Sequence, residues 1–89
     1  MVDMKSNKNV TEAIINIGND PKLLHEFLVD ILTPGEYSEI NKRWEIVKMI
    51  HAGIPQHDIA KKLGVGIATV TRGSRTLKNN KGAFAKLLK

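Results

Sequence analysis

Residues 67–78, IATVTRGSRTLK, combine short polar side chains with guanidinium groups, and no acid interrupts them. At helical spacing Ala68, Arg72, Arg75 and Thr76 fall on one side, flanked by Thr69 and Thr71. Short residues such as Ala68 and Thr71 let a helix backbone approach base edges, and threonine methyls can meet thymine methyls. Arg72, Arg75 and Lys78 can pair with phosphate oxygens or with guanine. Ile67, Val70, Ser74 and Leu77 recur at spacings of three, four and three and form the opposite, inward stripe. This face is either a surface that enters the major groove of DNA or the solvated side of an ordinary helical hairpin.

A preceding element has to hold that helix at an angle, and GIPQHDIAKKLGVG at 53–66 has the required form. Ile59 and Leu63 lie on one helical face, and Pro55 suits the first helical turn. Gly64 ends the helix, since glycine enters the left-handed cap conformation at little cost. Val65 plugs the corner from inside. The two helices then form a helix-turn-helix, which inserts the start of its second helix, here Ile67, into the major groove.

The charge is distributed to match. The 89 residues carry +5, but residues 1–45 are at −3 and residues 46–89 at +8. A basic half beside an acidic half suits a polyanion-facing module attached to a separate scaffold, although lysine-rich solvated surfaces are common. A chain this short forms one domain with a thin core, and such domains often gain stability by oligomerising. With no cysteine there are no disulfides, thiolate metal sites or cysteine nucleophiles. His25, His51 and His57 lack HExxH spacing, and no phosphate-binding glycine loop or motif-level carboxylate pair occurs, so an enzyme and a bound metal are not expected. No apolar run approaches the ~20 residues of a membrane span, and Asp3, Lys5 and Lys8 interrupt any signal-peptide pattern. The expectation is a soluble, cytoplasmic protein without a cofactor.

The remaining segments predict a helical scaffold. Residues 1–8 form a loose, polar arm. Asn9 or Thr11 can cap a short helix bearing Val10, Ala13, Ile14 and Ile17, which Gly18-Asn19 stops. Asp20-Pro21 reads as an N-cap followed by proline in the first helical position. The next helix carries Leu23, Leu24, Phe27, Leu28, Ile31 and Leu32, an apolar surface wide enough for burial on two sides. The second side is either another subunit or the rest of a monomer's own core. Thr33-Pro34-Gly35-Glu36 is a capping box, with Leu32 and Tyr37 placed to form a hydrophobic staple. The helix it opens runs to about Ala52, with Ile40, Trp44 and Val47 on one stripe that Ile46 and Ile50 extend, and Gly53 ends it. After a break at 79–82, Phe84, Leu87 and Leu88 give an amphipathic tail helix. The prediction is all-α, with about six helices: scaffold over 9–53, helix-turn-helix over 54–78, and a C-terminal helix within 79–89.

At LTP (32–34), KRWEIVK (42–48) and GVGIATVTRGSRTLK (64–78) the sequence resembles the bacterial Trp repressor family, over roughly residues 21–78. That family is itself a reference case for helix-turn-helix docking and for water-mediated base contacts. The resemblance implies an interlocked all-α homodimer that binds operator DNA when L-tryptophan, the co-repressor, is present. Residue by residue, it places co-repressor contacts on Arg43, Arg72, Gly73 and Thr76. Backbone carbonyls at Asp30, Leu32 and Thr33 would take the ligand's ammonium group.

The chemistry agrees: two guanidinium planes can sandwich an indole, and a carboxylate makes charge-assisted hydrogen bonds to arginine. Read without the resemblance, Arg43 is a solvated residue near Glu39, and Arg72 a phosphate contact. Some positions depart from the family. The 53–56 segment is one residue short. The resemblance implies that Gln56 keeps the family's polar DNA contact, whereas His57 stands for an arginine that would contact a base or phosphate. Ala60 stands for a lysine, with Lys61 and Lys62 next to it able to supply phosphate charge. Asp30 stands for an apolar residue and Thr76 for a serine. Trp44 could narrow the ligand site.

The leading reading is therefore a sequence-specific, tryptophan-activated repressor. The alternatives are a DNA-binding relative with another effector or none, and a helical protein–protein adaptor whose basic face meets an acidic partner.

Overall fold

The computed structural model describes residues 7–88; positions 1–6 of the loose arm expected over 1–8, and Lys89, lie outside the described residues. Within them are six helices and no strand: α1 Val10–Ile17, α2 Pro21–Ile31, α3 Pro34–His51, α4 Gln56–Leu63, α5 Ile67–Leu77 and α6 Ala83–Leu87. The all-α expectation is met. The chain divides into two compact units at the Tyr37/Ser38 boundary.

In the N-terminal unit each helix starts where its side chains satisfy free N–H groups. The Asn9 side chain accepts from Glu12 N at 2.9 Å and the Asp20 side chain from Leu23 N at 3.1 Å. The α3 capping box is reciprocal: Glu36 N donates to Thr33 Oγ1 at 3.1 Å, and Thr33 N donates to Glu36 Oε1 at 2.9 Å. Hydrogen bonding to the carboxylate, from the Thr33 backbone N–H first and from the Thr33 side chain second, holds the Glu36 carboxyl below the usual glutamate range. Asn7 and Lys8 are tied to α1 through Asn16 and Glu12. Neither α1 nor α2 has a buried residue, and Ile15, Leu23, Val29 and Ile31 are each about half exposed.

The core lies in the C-terminal unit. Ile46, Met49, Ile59 and Val70 are buried together, with Ile50, Ile54, Leu63 and Val65 packed around them. Val65 thus plugs the α4–α5 corner from inside, and Gly64 makes that corner with φ 66° and ψ 37°. Pro55 is the N-cap residue of α4; its carbonyl accepts from Ile59 N in the first turn, so its fixed φ serves the cap. Two details differ from the sequence expectation. Ile67 is 43% exposed, because it opens α5 one turn away from buried Val70. Leu87 is 71% exposed, so α6 is anchored through Phe84 rather than through a full apolar face.

Candidate functional site

The α5 helix has three faces, and the 100° step of a helix sorts its residues among them. Val70 and Ser74 are buried against the core and Leu77 is half-buried. Thr71, Arg75 and Lys78, spaced four and three apart, form an outer face on which Arg75 and Lys78 are exposed. The third face carries Ala68, Thr69, Arg72, Gly73 and Thr76, which together line a cavity of about 450 Å³.

Helix α3 supplies the facing wall through Arg43, Ile46 and Val47, and α6 adds Phe84. The volume is in the range of small-molecule sites. The cavity therefore brings Arg43 and Arg72 to one place, with Gly73 and Thr76 beside them. Ala68 and Thr69, expected to face DNA, also line it, because they precede Arg72 and Gly73 by one helical turn. Trp44 is not among the lining residues; it packs on Phe84 at a ring-centroid distance of 5.8 Å. The sequence left Ile46, Val47 and Phe84 unassigned as lining residues. Spacings of three and four from Arg43 place Ile46 and Val47 on its face of α3, a signal that was available. Phe84 had no such signal, since a loop separates it from both arginines.

Gly73 has a packing cause. A Cβ there would lie 3.0 Å from Ile46 Cγ2 and 3.7 Å from both Val47 Cγ2 and Ile50 Cδ1. Its bare α-carbon lets α5 approach α3 closely, and the two helices wall the cavity. Arg43 is exposed and its Nε lies 3.3 Å from Glu39 Oε1, one turn earlier on α3. An exposed pair of this kind contributes at most ~1 kcal/mol, so Arg43 can release it for a ligand carboxylate. The Thr76 hydroxyl donates to the Arg72 carbonyl at 3.0 Å, which leaves its oxygen lone pairs for another donor.

Asp30, Leu32 and Thr33 lie at the end of α2 and the start of α3, in the N-terminal unit. The Thr33 carbonyl accepts from Tyr37 N at 2.9 Å. Leu32 is half-buried, Asp30 and Thr33 are exposed, and Leu32 shares a small apolar pocket with His25, Val29, Pro34 and Tyr37.

The polar residues of the helix-turn-helix are mostly at the surface. His57, Lys61 and Lys62 on α4 are exposed, while Gln56 is half-buried. The Thr71 hydroxyl donates to Gln56 Oε1 and to the Ile67 carbonyl, each at 3.0 Å. Among the described residues no cluster of His, Asp or Glu could hold a metal ion, and no helix is long and apolar enough to cross a membrane.

The family model for the Trp repressor protein matches residues 5–89. The chain is 40% identical over 70 residues to the Trp operon repressor homolog of Chlamydia caviae, covering 78% of this chain and 69% of that protein. It is 43% identical over 70 residues to the homolog of Vibrio cholerae, covering 72% and 68%, and 35% identical over 68 residues to that of Chlamydia trachomatis, covering 75% and 72%. No solved structure matches it. The family match runs through all six helices, and the helix-turn-helix at 56–77 and the glycine-spaced cavity beside it lie within that match: the chain belongs to the Trp repressor family.

Proposed function

We propose that this protein is a DNA-binding transcriptional repressor that works as a homodimer and takes up L-tryptophan as co-repressor. The observation that carries this reading is the shared cavity of Arg43 and Arg72. A ligand there bridges α3, a scaffold helix, and α5, the helix whose outer face carries Thr71, Arg75 and Lys78.

An indole between two guanidinium groups gains cation–π attraction, and its carboxylate gains charge-assisted hydrogen bonds. Thr76 offers an acceptor near the ligand's polar end. For the ammonium group, the family resemblance offers the carbonyls of Asp30, Leu32 and Thr33. Trp44 does not line the cavity, and its ring packs on Phe84.

Two further features support the reading. The absence of any buried residue in α1 and α2 leaves apolar surface that a second copy would cover. In such a dimer two α5 helices would address successive major grooves about 34 Å apart. A bridging ligand shifts the population of α5 orientations toward the spacing the duplex requires. His57, Lys61, Lys62, Arg72, Arg75 and Lys78 supply duplex contacts, with Gln56, Ile67, Ala68, Thr69 and Thr71 around the start of α5.

The test is reciprocal linkage. L-tryptophan titrated by calorimetry should bind near one per chain, and more tightly when a palindromic operator is present. Equal affinity with and without operator removes the co-repressor mechanism. Steep loss of DNA affinity with salt, together with preference for one palindromic sequence, is expected; finding neither removes the DNA reading and favours an adaptor.

A further inference from the structure

We propose that Phe84 is a specificity-determining residue of the α3–α5 cavity, and that the Trp44–Phe84 pair couples docking of the C-terminal helix to the ligand. This rests on the effector reading above and extends it to a segment outside the helix-turn-helix.

Three observations converge. Phe84 lines the same cavity as Arg43, Arg72 and Gly73, so α6 completes a site otherwise built by α3 and α5. Phe84 is half-buried, whereas Leu87 on the same helix is 71% exposed and α6 has no fully buried residue. The anchor of α6 is thus its one aromatic side chain, which meets Trp44 at 5.8 Å with the ring planes at 48°. Trp44 is adjacent in sequence to Arg43, so the buttress and one cavity arginine share a turn of α3.

The chemistry selects a flat aromatic side chain. The cavity offers two guanidinium groups, the branched aliphatics Ile46 and Val47, and one ring. A ring edge or face against Phe84 adds an aromatic contact that an aliphatic amino acid cannot make. A ligand that touches Phe84 favours the docked arrangement of α6, and docked α6 in turn favours the ligand, because coupling between two equilibria is reciprocal.

The chain holds a single tryptophan, which permits a direct readout. Full-length protein labelled with 5-fluorotryptophan gives one 19F resonance, from Trp44, and unlabelled L-tryptophan adds none. Saturating L-tryptophan should shift that resonance. Phe84→Ala should shift it in the free protein, abolish most of the ligand-induced change and weaken L-tryptophan binding about tenfold by calorimetry. Phe84→Leu, which keeps bulk without a ring, should fall between them and lose part of the preference for L-tryptophan over L-leucine.

If wild type binds but its Trp44 resonance does not move, or if Phe84→Ala binds as tightly as wild type, the proposal is overturned and the effector reading stands. If wild type binds no L-tryptophan, the effector reading fails and the proposal fails with it. The wild-type resonance needs no variant to fold, so the experiment decides in every case.

Discussion

The Thr71 hydroxyl donates to Gln56 Oε1 at 3.0 Å and so ties the first residue of α4 to the middle of α5. It also donates toward the Ile67 carbonyl of its own helix, which makes the hydroxyl a shared, two-acceptor donor. The bond spans the corner made by Gly64 and Val65 and links α4 to α5.

A double-mutant cycle reads that bond. Thr71→Ala and Gln56→Ala should each destabilise the fold, and their coupling in denaturant unfolding should be about 0.5–1.5 kcal/mol. Strict additivity would show that the two side chains act independently. In operator selection Thr71→Ala should alter sequence preference more than nonspecific affinity, and an unchanged profile would mean that position 71 does not meet bases.

Two glycines should respond with opposite signs. Gly73→Ala puts a Cβ 3.0 Å from Ile46 Cγ2, and Ile46 is 1% exposed, so its neighbours cannot yield freely. The overpacking cost of ~1–3 kcal/mol should exceed the ~1 kcal/mol that alanine gains in a helix interior. Gly35→Ala in α3 meets only Thr33 Oγ1, at 4.0 Å, and should stabilise by roughly 0.4–1 kcal/mol. Paired thermal melts check both; stabilisation by Gly73→Ala would remove the close approach of α5 to α3 as the reason for that glycine.

The two cavity arginines should separate by function. Arg43→Ala should weaken L-tryptophan binding by about 10–100-fold, as expected for loss of a charge-assisted hydrogen bond of ~1.5–3 kcal/mol. Its effect on ligand-free, nonspecific DNA binding should be small. Arg72→Ala should weaken both ligand and DNA, and reduce the dependence of log K on log salt by about 1 per chain. Intact ligand and DNA binding in Arg72→Ala would take the bridge out of the mechanism.

The start of α3 should carry an acid-sensitive contribution. Glu36 accepts from Thr33 in the folded chain, which lowers its pKa. A group depressed on folding adds stability that is full above the usual glutamate range and is lost as pH falls through the lower folded-state value. Glu36→Gln, uncharged throughout, should therefore be less stable than wild type at neutral pH, and the gap should close on acidification. A gap independent of pH would assign the effect to hydrogen bonding alone.

What the residues determined by themselves was local. The caps at Asn9, Asp20 and Thr33, the left-handed Gly64 and the inward positions Val70, Ser74 and Leu77 of α5 each rest on interactions within a few positions, so spacing alone located the six helices. Family resemblance singled out Arg43 and Arg72, which spacing could not, because their shared cavity depends on α5 lying against α3. Only the tertiary structure decided that contact, through the missing side chain at Gly73 and the buried Ile46 opposite it. It also decided that Ala68 and Thr69 border the cavity, that Trp44 turns to Phe84, and that Leu87 stays exposed. The physical reason is range: hydrogen-bonded caps and helical periodicity act along the chain, whereas a cavity wall comes from segments separated by loops, whose approach depends on side-chain volume at a few crossing points.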